Sequence, residues 1–560
     1  RLDEEKQLRF QLGYIHDRTT RQYGSEEIYY FVQDTVHTAT NRHDRLKTDC
    51  LNAEVNYEDN TVSRYTRENF SFAGTWKSGV SDITGDNAIF QKIKNSQWEL
   101  KNHFNQLYTK EKYTWGIRLY IRYTHCPASL TVAHRNLPIL FADNMLIANC
   151  IYHRNELSSP DNISENTYRT VIGQTHESIL AEYEEMNTGN AYTDNVLYGM
   201  RKINGVNYQL TGGFCGELSS VKQENAYSAH SYSFYTVPRI EWERNDFLFT
   251  AATTVRWSHL PKQSYSRFCV SPFFCFRYKF TPRWKMSLLG SLDESEGGLK
   301  DIYPFRYRED YRTVVKHTGK VPVTVRQLYT CYLEYKNTIK EFFWTLSASY
   351  SHNRYNLITE RNYKDGNFYL SSVERNHSSH SYTLNTIGSK GIYDWNLKTS
   401  LELTLARNEG KQLNEGIVQD YRYDYLCIEP KIVWAPSVFF EAEYKATVSC
   451  VGGGIGEDTS LDPLWEVAQR LTLSLEFHDT EFRLSGEHFY NDLSKNQHLN
   501  IWLADVSLIH KVGKWRFAAS AINLFNKEQY RYTLYSAVQS YTSWIKLRPR
   551  EFMVSVQYQW

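Results

Sequence analysis

The chain alternates apolar and polar side chains over many short segments. In the last nine residues, Phe552, Val554, Val556, Tyr558 and Trp560 occupy every second position, and mostly polar residues stand between them. A period of two predicts a β-strand with one apolar face and one wet face. The same alternation recurs in segments that begin at Leu8, Trp115, Trp395, Phe440 and Leu471. Because the polar face carries charges in these segments, we expect it to line a water-filled lumen.

Short polar turns alternate with longer polar connections along the chain. Ten turns are predicted, at residues 59–60, 109–112, 204–205, 245–246, 281–283, 337–340, 389–394, 435–437, 478–480 and 512–514. Long irregular loops are predicted at residues 16–45, 77–95, 218–229, 285–325, 351–380, 451–469, 491–500 and 526–543. Asn204-Gly205 has the composition of a type I′ hairpin turn. Long loops on one side and short turns on the other are typical of outer-membrane β-barrels.

The number of turns sets the expected fold. A chain that starts and ends on the turn side and makes ten internal turns has about 22 strands. We therefore predict that residues 1–560 form one all-β domain, a closed antiparallel transmembrane β-barrel with long extracellular loops and short periplasmic turns. Residues 125–200 fit this scheme least well. They are expected to include a long extracellular loop region, with a short helix around Ser178–Met186 or a further hairpin as alternatives.

The 14 tryptophans give a second indication of a membrane. Eight lie beside the turns: Trp115, Trp242, Trp284, Trp344, Trp395, Trp434, Trp515 and Trp560. Five lie at the opposite strand ends: Trp76, Trp98, Trp257, Trp502 and Trp544. The last one, Trp465, falls in a predicted loop. Indole rings prefer the two interfaces of a membrane, so we interpret these groups as two interface belts. The alternative is a large soluble sandwich in which tryptophan merely favours strand ends.

Composition narrows the class of protein. The chain has 64 Lys and Arg against 63 Asp and Glu, and this net charge of +1 indicates no nucleic-acid partner. A mean hydropathy of −0.58 and the lack of a long apolar run exclude a bundle of transmembrane helices. An aromatic content of 15% excludes a disordered chain. A soluble β-repeat protein such as a propeller and a membrane barrel remain.

Candidate sites for metals and ligands are few. The candidate ligands are Glu457, Asp458 and Asp462 for Ca²⁺, and His377 and His380 for a metal or haem. Isolated surface side chains are the commoner explanation of both groups. Gly452-Gly-Gly-Ile-Gly456 has the composition of a phosphate cradle, but no strand-to-helix context follows it, so we interpret it as a flexible loop.

The sequence offers no catalytic constellation. Glu441 and Glu443 are expected to face the lumen, where inward carboxylates hydrate the wall or bond a plug. The nine cysteines are scattered without a Cys-x-x-Cys pair, which indicates neither a disulfide framework nor a zinc site. No nucleophile elbow, His-Glu-x-x-His motif or Ser-His-Asp spacing appears. We therefore predict no enzyme and no cofactor.

The C-terminal region carries motifs of a known family. Ala521-Ile-Asn-Leu-Phe-Asn-Lys-Glu-Gln-Tyr530 and Leu547-Arg-Pro-Arg-Glu-Phe552, followed by the terminal aromatic strand, resemble the end of TonB-dependent outer-membrane receptors. The resemblance implies a barrel in the lipid of the bacterial outer membrane that actively imports a large or scarce nutrient, such as a siderophore, haem, a peptide or a glycan. It also implies that Phe552, Tyr558 and Trp560 form the aromatic signal read by the barrel-assembly machinery.

The sequence departs from the family's pattern in two places. Nothing in it resembles the plug domain or the TonB box, so we expect a plug, own or separate, and contact with the TonB energising complex through a part outside residues 1–560. The last loop, Tyr530-Arg-Tyr-Thr-Leu-Tyr-Ser536, lacks the Tyr-x-Gly-x-Asp-Pro-Glu segment of the glycan-importing SusC subgroup. A SusD-like lipoprotein lid therefore has no motif in its favour. The alternative functions are a passive or secretory pore and a surface adhesin barrel.

Overall fold

Strands dominate the structure. It is a computed structural model that describes residues 6–30, 35–85, 89–110, 113–134, 167–171, 178–223, 225–364, 366–456, 459–494, 497–536 and 539–558. Three short 3₁₀ helices interrupt the strands: Pro261–Gln263, Leu299–Ile302 and Tyr393–Trp395. In these ranges, no helix is long and apolar enough to cross a membrane.

The described residues form 27 strands in a single sheet. Their bounds are β1 (Lys6–Tyr30), β2 (Thr35–Asn60), β3 (Arg64–Gly85), β4 (Ile89–Lys110), β5 (Tyr113–His134), β6 (Thr167–Val171), β7 (Ser178–Ile203), β8 (Val206–Lys222), β9 (Ala226–Arg244), β10 (Phe247–Leu260), β11 (Tyr265–Lys279), β12 (Trp284–Glu296), β13 (Tyr307–Arg308), β14 (Thr313–Lys316), β15 (Val323–Asn337), β16 (Phe342–Lys364), β17 (Asn367–Ile392), β18 (Leu397–Asn414), β19 (Ile417–Ser437), β20 (Phe440–Ile455), β21 (Thr459–Phe477), β22 (Thr480–Ser494), β23 (Gln497–Val512), β24 (Trp515–Ile522), β25 (Gln529–Ser536), β26 (Gln539–Lys546) and β27 (Glu551–Tyr558).

Most of these strands belong to one series in which each pairs antiparallel with the next. The series runs through β1 to β5, β7 to β12, β15 to β24, and β27. The remaining strands, β6, β13, β14, β25 and β26, lie in connections. The total of 27 differs from the predicted count of about 22, because turn signals do not reveal short strands inside a connection.

The ten predicted turns are confirmed. Each falls at a junction between two strands of the series, and all of them lie at one end of the sheet, which we call the turn end. The opposite end is the loop end. At the junction of β7 and β8, Asn204 and Gly205 have φ angles of 48° and 82°, as a type I′ turn requires. The turn signals were readable because these residue types act locally on the backbone.

The predicted long loops are mostly wrong. β16 and β17 occupy nearly all of the predicted loop 351–380, and β7 starts at Ser178, where a helix was an alternative. At the loop end the side chains no longer alternate between apolar and polar, although the backbone ladder continues. In the region that fitted least well, residues 135–166 and 172–177 lie outside the described residues.

The ladder register places apolar positions of neighbouring strands side by side. Partners in an antiparallel ladder point to the same face, so a face can be followed across the sheet. One apolar row crosses β7 to β21: Ile203, Val206, Trp242, Phe249, Phe276, Leu288, Cys331, Ala348, Leu384, Leu405, Leu426, Cys450 and Trp465. A second crosses β1 to β7: Leu12, Ala53, Phe72, Leu100, Tyr123 and Ala191.

Tryptophan follows the same face. Every tryptophan in a described strand lies on it: Trp76, Trp98, Trp115, Trp242, Trp257, Trp284, Trp344, Trp434, Trp465, Trp502, Trp515 and Trp544. We call this the tryptophan face and its reverse the polar face. Phe552, Val554 and Tyr558 of β27 lie on the tryptophan face, whereas Ser555 lies on the polar face, in agreement with the predicted alternation.

The predicted closure of the sheet is not observed among the described residues. β27 pairs with β24 alone, and β1 pairs with β2 and, over Tyr23–Tyr29, with β26. β26 comes from the connection between β24 and β27, so this hairpin takes the loop-end part of the edge where the last strand was expected. The turn-end part of β1 pairs with β2 on one edge and, among the described residues, has no ladder partner on its other edge. The apolar side chain of Leu12 in this part is 79% exposed.

A charge test distinguishes the two faces. If the tryptophan face meets lipid, Val554→Lys and Leu401→Lys should each lower the free energy of unfolding from a bilayer by about 2–4 kcal/mol, depending on depth. The matched changes on the polar face, Ser555→Lys and Lys398→Glu, should cost far less because those side chains stay in water. Urea unfolding from liposomes measures both sets, and equal losses at both would contradict the face assignment.

Candidate functional site at the loop end of the sheet

The connection between β12 and β15 is folded onto the sheet. Residues 297–322, which we call the crossing segment, contain the 3₁₀ helix Leu299–Ile302 and the hairpin of β13 and β14. The Asp310 carboxylate accepts hydrogen bonds from the backbone N–H groups of Arg312 and Thr313 at 2.8 and 2.7 Å. This Asx turn closes the hairpin, and β14 then pairs in parallel with β17. A local turn therefore holds the segment against a strand of the series.

One half of the crossing segment packs against β9 and β10. Ile302, which is 0% exposed, and Tyr303 belong to a buried cluster with Tyr227 and Leu260. The Tyr303 hydroxyl donates a hydrogen bond of 3.0 Å to the side-chain oxygen of Gln223. β9 and β10 stand close to β12 in the series, so these contacts anchor the segment near the strand from which it starts.

The other half reaches the beginning of the series. Arg312 forms an ion pair with Glu27 at 2.7 Å and donates a hydrogen bond of 2.8 Å to the Thr38 hydroxyl. Both charged side chains are nearly buried, at 11% and 9% exposure. Tyr311 packs in a second buried cluster with Ile83, Ile89 and Val132. Because β1 and β12 are about ten places apart in the series, the crossing segment spans the space that the sheet surrounds at its loop end.

The loop ends of β1 and β17 also meet directly. The ring centroids of Tyr29 and Phe368 are 4.3 Å apart, and the Arg361 guanidinium carbon lies 5.7 Å from the Tyr29 ring centre. Tyr29 donates a hydrogen bond to the Glu27 carboxylate. Burial and then this hydrogen bond raise the pKa of the Tyr29 hydroxyl, which therefore stays protonated as a donor. These contacts join strands that are far apart in the series and narrow the mouth of the sheet.

A bulge in β17 aims Phe368 at this contact. The ladder between β16 and β17 shifts between Tyr355 and Leu357: one residue of β16 is opposed by two residues of β17. An extra residue reverses the faces of a strand beyond it. Leu384 and Phe368 are separated by an even number of positions, yet Leu384 lies on the tryptophan face and Phe368 on the polar face. The bulge thus turns an aromatic side chain inward.

Arginine and aromatic side chains dominate the mouth. We call this group the mouth cluster: Tyr23, Glu27, Tyr29, Arg42, Tyr311, Arg312, Arg361 and Phe368. Arg42 lies 5.0 Å from the ring centre of Tyr311, and Arg312 lies 5.6 Å from that of Phe368. These arginine–aromatic contacts stabilise cations over ring faces without neutralising them.

The mouth cluster has an excess of positive charge. Among the described residues, Arg312 has a carboxylate partner in Glu27, whereas Arg42 and Arg361 have none. Burial lowers the pKa of Arg361, because its charge is drawn away from water and no carboxylate beside it offsets that cost. Glu27 and Tyr29 are an odd number of residues from Phe10 and so lie on the polar face of β1. The cluster therefore presents unpaired positive charge to the interior.

The sequence-predicted belt residues are positioned by the ladders. Trp115, Trp242, Trp284, Trp344, Trp434 and Trp515 lie at the turn end of the tryptophan face, and Trp395 ends a 3₁₀ helix at the same end. Neighbouring rings touch there: Trp284 and Trp344 have centroids 5.9 Å apart. Trp560 lies outside the described residues. Their interface role, and the assembly role of Phe552, Tyr558 and Trp560, stay predictions.

The other candidate ligands do not form sites in the described part of the chain. Gly452–Gly456, predicted as a loop, lies mostly in β20. Asp462 lies in β21, while Glu457 and Asp458 lie outside the described residues. His377 and His380 are in β17 instead of a loop, and the Nδ1 atoms of His380 and His352 are 3.2 Å apart. Within the described ranges, no three His, Cys, Asp or Glu side chains gather to hold a metal.

The two carboxylates expected in the lumen do lie on the polar face of β20. Glu441 and Glu443 alternate with Ala442 and Tyr444, whose register partners belong to the tryptophan face. Lys431 contacts Glu443 at 3.1 Å, so this carboxylate joins an exposed ion pair on the wall. The arrangement fits the structural interpretation of these residues.

Sequence reasoning missed the crossing segment and the mouth cluster. Residues 285–325 were predicted to be a loop, and that segment instead packs across the mouth. The Asp310-x-Arg312-Thr313 turn was the one local signal available. Nothing in a single sequence indicates that Glu27 meets Arg312 from the middle of the chain.

Comparison with known proteins gives structural likeness alone. No family model and no curated protein sequence matches the chain. The outer membrane transporter YddB from Escherichia coli shares 10% identity at a TM-score of 0.49, covering 98% of this chain and 75% of that chain. A mutant of the ferric enterobactin receptor PfeA from Pseudomonas aeruginosa, in complex with enterobactin, shares 10% identity at a TM-score of 0.42, covering 94% and 81%. The siderophore receptor PirA from Pseudomonas aeruginosa shares 10% identity at a TM-score of 0.38, covering 95% and 81%. The fold is therefore assigned from the ladders described above.

The Glu27–Arg312 pair should control the position of the crossing segment. Glu27→Gln leaves a buried guanidinium without its counter-charge, and breaking one partner of such a pair costs about 3–5 kcal/mol. Hydrogen exchange of residues 309–316 should therefore become faster. The control is Glu374→Gln, which breaks a pair with Lys320 whose side chains are 62% and 63% exposed, and exchange there should hardly change. Unchanged exchange in Glu27→Gln would contradict this role.

Proposed function

We propose that this chain is the transmembrane barrel of a TonB-dependent transporter in the bacterial outer membrane. The observation that carries the proposal is the one-sided distribution of tryptophan over the described strands, together with the apolar rows on the same face. A soluble sheet would cover tryptophan on its apolar face with a second layer, whereas Trp76, Trp115 and Trp502 on this face are 40%, 51% and 53% exposed. A lipid-facing surface favours exposed tryptophan at both interfaces.

In this proposal, a ladder between β1 and β27 completes the barrel. The series between them contains an even number of strands, so β1 and β27 run antiparallel, as a closing ladder needs. A closed cylinder satisfies all backbone N–H and C=O groups inside lipid. The aromatic positions Phe552, Tyr558 and Trp560 then act as the signal for the barrel-assembly machinery, and the tryptophan face contacts outer-membrane lipid.

A barrel of this size requires an internal plug. Barrels of about 16–18 strands already enclose an aqueous channel, and a larger one is plugged when it serves as a transporter. We therefore include a plug domain, own or separate, and the TonB energising complex as partners. The turn end faces the periplasm and the loop end faces the outside. The crossing segment lies over the plug and forms the outer entrance that a nutrient meets first.

The mouth cluster favours a negatively charged nutrient. Arg42 and Arg361 have no carboxylate partner in the described residues, and aromatic rings flank both. Half-buried guanidinium groups of this kind bind carboxylate, phenolate or phosphate oxygens with charge-assisted hydrogen bonds. Among siderophores, haem, peptides and glycans, the members with anionic groups fit the site, and an uncharged glycan fits it least. No observation supports a SusD-like lid.

A passive or secretory pore and a surface adhesin are the competing functions. The crossing segment and the direct contact between β1 and β17 obstruct the mouth, which favours a gated importer over an open pore. An adhesin would need neither an unpaired cationic interior nor dependence on energy. These differences are measurable.

Single-channel recording on the full-length protein tests the class. With its plug, the transporter should show no steady conductance in a planar bilayer, and nutrient uptake by cells should stop when TonB is deleted. Stable open channels in the full-length protein, or uptake that does not depend on TonB, would reject active import. Outer-membrane fractionation of the same cells serves as the control for correct insertion.

Removal of Arg361 tests the polarity of the substrate. Arg361→Gln should weaken binding of an anionic nutrient by about tenfold, the loss expected for one charge-assisted hydrogen bond. The control is Arg516→Gln, on the polar face of β24 at the turn end, which should bind as the unmodified protein does. A binding isotherm on cells measures both variants, and equal affinity in all three proteins would contradict the role of the mouth cluster.

A further inference from the structure

An apolar groove lies on the tryptophan face at the turn end. It has a volume of about 540 Å³ and is bounded by β5, β7, β8 and β9. Its lining on that face includes Trp115, Gly199, Leu210 and Pro238, which are consecutive partners in one row of the ladder. The next row towards the turns contains Tyr113, Arg201, Tyr208 and Ile240. The row of partners thus has a gap at Gly199, which carries no side chain.

The groove exists because side-chain volume is missing from its floor. A Cβ atom added at Gly199 would meet no atom within 4 Å, so the space above this residue is open. Trp115 leaves the space free, because its ring stacks on Tyr108 with centroids 4.4 Å apart, towards β4 and away from Gly199. The atoms that line this open apolar space lack van der Waals partners on one side. A flexible apolar chain restores them.

One cation stands at the end of the groove nearest the turns. The Arg201 guanidinium carbon lies 4.7 Å from the ring centre of Tyr113, and in the described residues Arg201 has no carboxylate partner. Arg201 is three residues before Asn204 of the β7–β8 turn, about 10 Å along a strand. That depth corresponds to the headgroup level of a membrane, where an arginine on a lipid-facing surface directs its charge outwards.

We infer that this groove binds one glycerophospholipid of the periplasmic leaflet. Its acyl chain lies along Gly199 and Leu210, and its phosphate accepts hydrogen bonds from Arg201. An apolar body with a single anionic end matches an apolar groove with a single unpaired cation at its end. A free anion would gain nothing from the groove, and an uncharged chain would gain nothing from Arg201. The inference rests on the proposed function, which places this face in lipid.

Filling the groove tests the acyl-chain part. Gly199→Leu places a Cβ where no atom lies within 4 Å and directs an apolar side chain into the open space. It should lower the amount of phospholipid that stays bound to the full-length protein in native mass spectrometry by about tenfold. The control is Gly486→Leu, also on the tryptophan face, where an added Cβ likewise meets no atom within 4 Å but which does not line this groove. It should retain phospholipid as the unmodified protein does. Equal retention in both variants overturns the inference.

Removing the cation tests the headgroup part. Arg201→Gln should lose bound phospholipid to a similar degree, whereas Arg244→Gln, an arginine on the same face at the turn end of β9, should not. Protein reconstituted in nanodiscs of phosphatidylglycerol and then delipidated provides the probe, and glycerol phosphate added as competitor should displace nothing. Displacement by glycerol phosphate, or a loss in Arg244→Gln equal to that in Arg201→Gln, overturns a phospholipid-specific site.

The outcome is separable from that of the proposed function. If the protein fractionates outside the outer membrane, the barrel proposal fails and this inference fails with it. If the protein fractionates with the outer membrane and imports nutrient, but no phospholipid remains bound to the unmodified protein, this inference alone is overturned.

Discussion

The whole structure depends on an uninterrupted backbone ladder between neighbouring strands. Each strand's faces are fixed by its register with the strand before it, and a slip of one residue would exchange the apolar and polar faces of everything that follows. The register keeps tryptophan on one face from β3 to β26. The bulge in β17 shows the effect of such a one-residue slip within a single strand. It reverses the outer part of that strand and brings Phe368 to Tyr29, so that the mouth cluster is a product of ladder geometry.

The two ends of the sheet differ in what they contribute. The turn end is rich in aromatic side chains, and its contacts are between strands that are neighbours in the series, such as Trp515 of β24 with Tyr558 of β27. At the loop end, strands of up to 26 residues continue past the apolar rows. There the crossing segment joins β1 to β12 through charge, ring stacking and buried apolar contacts. The turn end thus connects strands that are neighbours in the series, and the loop end connects strands that are far apart in it.

Local signals in the sequence predicted more of the fold than of the site. The ten turns and the face of Val554 or Leu405 follow from conformational preference and a period of two, which need no distant partner. The long loops were wrong because polar strands keep pairing where alternation has faded, as in β16 and β17. The strand total was wrong because β6, β13, β14, β25 and β26 lie in connections that were predicted to be loops. The Glu27–Arg312 pair and the β17 bulge depend on contacts across the sheet, and no periodicity encodes them.

The hairpin of β25 and β26 has a consequence for the order of folding. It attaches to β1 through ladder bonds, and the Ser543 hydroxyl donates a hydrogen bond to the carbonyl oxygen of Gly24, 519 positions earlier in the chain. Contacts of such sequence separation carry a large loss of chain entropy and form late. Until residues near 540 have been synthesised and delivered, the loop-end edge of the first strand has no partner. The ladder between β1 and β26 is therefore the last part of the sheet to form. A protein truncated before β26 would keep an unpaired strand edge on β1, which is prone to aggregation.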